Sequence, residues 1–77
     1  MNTSRIQVYR NNRPASGVRV RFGYDGLTQI GLTQDYYTDD QGVAYVQHSS
    51  TGWATVYLDG REQSRKVYTP GEEVYYI

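Results

Sequence analysis

The sequence contains no cysteine. Disulfides, thiolate metal sites and thiol catalysis are therefore excluded. A single histidine, His48, is too few for the two- or three-histidine zinc sites of metalloenzymes. No apolar run approaches the ~20 residues needed to span a bilayer. The N-terminal stretch MNTSRIQVYR lacks the apolar core of a signal peptide. These absences favour a cytoplasmic chain, or one already processed, with no membrane contact. Helical periodicity is missing as well, and so is any strained serine elbow or oxyanion loop of a hydrolase. No enzyme activity, metal or cofactor is expected. The chain has 77 residues, room for one domain spanning 1–77 and no more. A domain of this size buries only about 60% of its unfolded surface, so its stability is marginal. It begins with Met and reads as a free-standing protein.

What is present is tyrosine, charge in blocks, and alternation. Nine Tyr stand against one Phe and one Trp. Tyr suits strands, and its hydroxyl tolerates water. Net charge is zero but unevenly laid out. Residues 1–24 carry Arg5, Arg10, Arg13, Arg19 and Arg21 and no acid; residues 25–60 carry Asp25, Asp35, Asp39, Asp40 and Asp59 and no Lys or Arg. A mixed surface with the two blocks folded together is expected, over a head-to-tail dipole. Period-two alternation recurs along the chain. It appears in RIQVYR, in VRVRFGY (Val18, Val20 and Phe22 against Arg19, Arg21 and Gly23), and in WATVYL (Ala54, Val56 and Leu58 against Trp53, Thr55 and Tyr57). Further strands are read at DYYT, VAYVQ, REQSRKVYT and EEVYYI. NNRPASG and HSSTG read as turns, Asp59-Gly60 as a hairpin, and DGLTQIGLTQ (25–34) as a loop that could hold a short irregular piece. Seven strands at this spacing predict an all-β fold, a small antiparallel seven-stranded β-sandwich with prealbumin-like or Ig-like Greek-key connections. The expected core is Ile6, Val8, Val18, Val20, Phe22, Ala44, Val46, Ala54, Val56, Leu58, Val67, and Val74 with Tyr76.

The order of motifs carries a further signal. Pro14, Gly17, Val18 and Val20 form one strand-opening motif. Thr38, Asp39 and Gly42 form a T-D-x-x-G turn, and Gly52, Ala54, Val56, Leu58 and Gly60 a later strand. Over about residues 5–77 this order resembles the carboxypeptidase regulatory-like domain, one of the transthyretin-like (prealbumin-like) β-sandwiches. The resemblance implies a sandwich and, since such domains mostly serve as non-catalytic modules, no activity. The related hydroxyisourate hydrolases use an N-terminal His and a Tyr-Arg-Gly-Ser tail. This chain has no early His and ends VYYI.

Four groups of residues invite a functional reading. In YTDDQGVAYV (37–46), Asp39 and Asp40 could open a calcium loop, but the later acidic ligand is missing. A turn is expected instead, with Asp39 bonding the backbone ahead, Gly42 at positive φ, Ala44 and Val46 inward and Tyr45 outward. His48, beside Ser49, Ser50 and Thr51, reads as an exposed loop residue. Arg19 and Arg21, with rings at Tyr9 and Tyr24, could contact single-stranded nucleic acid; zero net charge argues against it. Trp53, Tyr45 and Tyr57 share outward parity, and on one sheet they would form an aromatic contact patch. Elsewhere they would cover gaps in a thin core.

The last strand is apolar on both sides, with Val74 and Tyr76 opposed to Tyr75 and Ile77, and such a strand needs cover or a partner. The leading expectation is thus a structural or protein-interaction module, acting through the edge strand Val74–Ile77 and the rings of Trp53, Tyr45 and Tyr57, with self-association or a protein partner. A carbohydrate- or ligand-binding module using the same rings is the alternative, and nucleic-acid binding through Arg19 and Arg21 a third.

Overall fold

A computed structural model describes residues 1–24 and 31–77. The chain is all-β: the described residues form ten strand segments in two sheets and no helix. The segments are β1 (Asn2–Arg10), β2 (Arg13–Pro14), β3 (Arg19–Tyr24), β4 (Gly31–Leu32), β5 (Tyr36–Tyr37), β6 (Val43–His48), β7 (Gly52–Leu58), β8 (Arg61–Glu62), β9 (Val67–Thr69) and β10 (Glu72–Tyr76). The smaller sheet centres on β1, with β10 on one side and β6 and β2 on the other. The larger sheet centres on β3 and β7. Its edges are β4 and β5 beside β3, and β8 and β9 beside β7.

Each of the seven stretches expected as strands contains a strand segment, one of them two, within a total of ten among the described residues. REQSRKVYT divides into β8 and β9, because the register against β7 slips by two residues between Tyr57↔Glu62 and Ala54↔Val67. Two further segments, β2 and β4, lie in stretches without alternation. β2 lies inside the NNRPASG cluster, where Asn11 and Asn12 both take positive φ (53° and 63°) and close a two-residue hairpin. β4 lies inside the expected loop 25–34. There Thr33 takes over Phe22's backbone bonds, its N–H donating to Phe22 O and its Oγ1 accepting from Phe22 N–H, so the edge continues across a one-residue slip into β5. The rest of that expectation, 25–30, falls outside the described residues.

Alternation places the core. Ile6 and Val8 of β1, Ala44 and Val46 of β6, Val20 and Phe22 of β3, and Ala54, Val56 and Leu58 of β7 are all buried in one cluster fed by both sheets. That arrangement is compatible with a small sandwich. The turns work as read. Asp39 Oδ1 accepts the N–H groups of Gln41 (2.9 Å) and Val43 (3.0 Å). Gly42 sits at φ +76°, where a Cβ would come within 2.6 Å of Val8 O. Thr38 joins the two N-terminal motifs: its hydroxyl donates to Ala15 O and accepts from Val18 N–H. Asp59 (φ 52°) and Gly60 (φ 82°) close the β7–β8 hairpin.

Two expectations about the last strand are corrected. Its pairing with β1 is parallel, while every other pairing is antiparallel. Its parity is also reversed: Tyr75 is buried (3% exposed), while Tyr76 is 71% exposed and Val74 only half-buried. The register explains this. Directly paired residues lie on the same side of a sheet, and Tyr75 pairs with inward Val8 while Tyr76 pairs with outward Tyr9.

Candidate functional site

The outer face of the larger sheet gathers most of the exposed aromatic surface. In β7, burial of Ala54, Val56 and Leu58 turns Trp53, Thr55 and Tyr57 outward. The register Trp53↔Tyr68 sets two rings side by side, with centroids 5.2 Å apart and planes at 78°. Both stay open to solvent, Trp53 at 64% and Tyr68 at 60%. Along β3, Arg21 pairs with Tyr57, and its guanidinium lies 5.7 Å from that ring's centre. Arg21 also meets the Asp35 carboxylate at 3.9 Å. Gly23 sits beneath these groups. A Cβ there would lie 2.9 Å from Tyr57 Cε2 and 3.2 Å from Leu32 Cδ2, so the missing side chain lets ring and leucine close over the backbone. Exposed Leu32 and Tyr37 extend the surface through their pairings with Gly23 and Arg19.

This face brings together four of the expected site residues, Trp53, Tyr57, Arg19 and Arg21. It does not include Tyr45. That ring is exposed on the smaller sheet, where β6 pairs it with Arg5, so the three-ring patch is split between two sheets. Tyr24 leaves the basic face as well. It keeps the inward parity of Val20 and Phe22 and is buried. Tyr68 joins the face by the same alternation: Val67 inward requires Tyr68 outward. What the sequence lacked was the register that sets Tyr68 against Trp53.

Of the C-terminal residues, Tyr76 stacks on Tyr9 (5.5 Å, 17°) on the outer face of the smaller sheet, and Ile77 is exposed. Val74 is engaged on both backbone groups. Its N–H donates to Glu73 Oε1 at 3.0 Å, and its carbonyl accepts from Arg65 Nη2.

His48 is not an exposed loop residue. It ends β6, is 3% exposed, and packs against the rings of Phe22 and Tyr24. Its Nδ1 lies 2.7 Å from Ser50 O, which can only accept, so Nδ1 carries the proton. In the neutral ring Nε2 then accepts from the Ser4 hydroxyl at 2.8 Å, and Ser4 Oγ accepts Gly71 N–H at 3.1 Å. A serine hydroxyl on a histidine nitrogen has the form of a nucleophile and its base. Its position does not suit that chemistry. Ser4 is buried and does not line the adjoining cavity of about 310 Å³, which His48, Tyr24, Tyr36 and Leu32 help to wall. Beside this chain, Tyr24 Oη lies 2.7 Å from Thr69 Oγ1, which donates to Gly52 O at 2.7 Å. Burial pushes the Tyr24 hydroxyl's pKa up, and the bond to Thr69 offsets part of the rise. The cluster ties β1, β3, β6 and β9 together at one end of the molecule.

No group of three His, Cys, Asp or Glu side chains comes together among the described residues. No helix among them is long and apolar enough to cross a membrane. Comparison of the chain with protein-family models, with curated proteins and with solved structures finds no match.

Proposed function

We propose that this chain is a small non-catalytic β module that binds another protein through the outer face of its larger sheet. The observation that carries the reading is the Trp53–Tyr68 pair, two large rings left mostly in water on a flat surface. A small protein that holds such rings out of its core keeps apolar area available for a contact. Leu32, Tyr57 and Arg21 beside the pair complete a composition of aromatics and arginine, the residue types that dominate binding energy at protein interfaces. The resemblance to carboxypeptidase regulatory-like domains, mostly non-catalytic modules, supports the same reading. A nucleic-acid contact through Arg19 and Arg21 is disfavoured by the zero net charge and by Asp35, which already faces Arg21.

The test is capture of partners from the source cell on the immobilised chain, compared with the double variant Trp53→Ala/Tyr68→Ala, followed by titration of the partner found. Loss of two central rings is expected to weaken binding by roughly 30-fold or more, the effect of about 2 kcal/mol at a hot spot. Equal affinity for both chains would overturn the proposal. Binding of glycans that depends on Trp53, without a protein partner, would reassign the face to carbohydrate.

A further inference from the structure

The β10 edge of the smaller sheet is closed by a side chain from the segment that joins β8 to β9 in the other sheet. The hydrogen bonds Arg5 N–H to Gly71 O (2.9 Å) and Ile77 N–H to Tyr9 O (2.8 Å) show that the odd-numbered residues of this strand point their backbone at β1. In a parallel ladder the even-numbered residues then point away, so Glu72, Val74 and Tyr76 form the open edge. An open edge is a template for a strand from another chain. Here its centre is occupied. Arg65, in the extra residues between β8 and β9, donates to Val74 O and lies 3.3 Å from Glu73 Oε1, and Glu73 Oε1 accepts Val74 N–H. The guanidinium is held in turn, 4.9 Å from the centre of the Tyr75 ring, while Tyr75 Oη donates to Arg65 O at 2.8 Å.

We propose that Arg65 guards this edge against a second copy of the same chain, and that withdrawing its guanidinium turns β10 into a dimer interface. The strand is self-complementary. A two-fold axis through Val74 sets it opposite its own copy, Glu73 opposite Tyr75 and Glu72 opposite Tyr76. No acid meets an acid, and the same patch serves both chains. The register slip that divides β8 from β9 supplies the guard, because its two extra residues, within 63–66, let Arg65 reach the other sheet.

Sedimentation of three chains tests this. The wild type is expected to run as an 8.9 kDa monomer. Arg65→Ala is expected to double that mass. Arg65→Ala/Val74→Pro is expected to return to monomer, because Val74 N–H faces away from β1 and proline there blocks a new ladder while sparing the old one. A monomeric Arg65→Ala chain with a wild-type circular dichroism spectrum would overturn the guard, and so would a dimer that survives Val74→Pro. Hydrogen exchange on the wild type tests the same point independently of how the variants fold. The Val74 amide must exchange more slowly than those of Glu72 and Tyr76, and equal rates would overturn the proposal.

Discussion

Tyr75 is the residue whose position most changes the chemistry of the last strand. Turned inward beside Val8, its hydroxyl is pushed up to about 12 from 10.0, first by burial, with Arg65 lowering and Glu73 raising it. A tyrosine whose folded pKa lies above its unfolded value binds its proton more tightly when folded. Its stabilising contribution is therefore complete below about pH 10 and is lost as pH rises toward about 12; the raised Tyr24 adds to the same slope. Tyr75→Phe is expected to lose about 1 kcal/mol at neutral pH with the bond to Arg65 O. Its stability should then decline less than the wild type's through that alkaline window. Urea melts at a series of pH values read this directly, and parallel curves for the two chains would contradict it. Sequence alternation could not settle the side Tyr75 takes, because VYYI is apolar at every step.

At the scale of elements, strands declared themselves where one face is greasy and the other wet, as in β1, β3 and β7. Segments of two residues, β2 and β4, are too short for any alternation to register. The polar cluster around Ser4 and His48 was not legible either, since the two residues stand 44 positions apart and meet only through β1–β6 pairing. That cluster gives a sharp prediction. Ser4→Ala leaves His48 Nε2 and Gly71 N–H without their partner in a buried place. The cost is expected to be about 1–3 kcal/mol. Ser49→Ala, at an exposed neighbour of the same loop, should stay within about 0.5 kcal/mol of wild type. Chemical denaturation of the two variants side by side is the measurement, and equal midpoints would show the cluster to be idle.

For the whole molecule, two ion pairs among the described residues join the basic first block to the acidic second. Arg10 meets Asp59 at 3.8 Å and Arg21 meets Asp35 at 3.9 Å. Both are surface pairs, worth roughly 0–1 kcal/mol and screened by salt. Stability resides in the shared core, so screening two pairs of at most about 1 kcal/mol each, by raising NaCl from low to about 1 M, should lower the melting temperature by no more than about 15 °C. A larger fall, followed by circular dichroism, would mean that the blocks hold the sheets together.

The sequence alone determined that this chain is all-β, which faces of its central strands are buried, and how its turns at Asp39–Gly42 and Asp59–Gly60 are built. Those properties depend on neighbours within a few residues, where side-chain alternation and local backbone bonding act. Tertiary structure alone decided that Trp53 meets Tyr68, that Tyr45 stands apart from them, that His48 is enclosed, and that Arg65 closes the edge at Val74. Each of these follows from strand register and sheet membership, which are set by pairing between distant segments and leave no periodic mark on the chain itself.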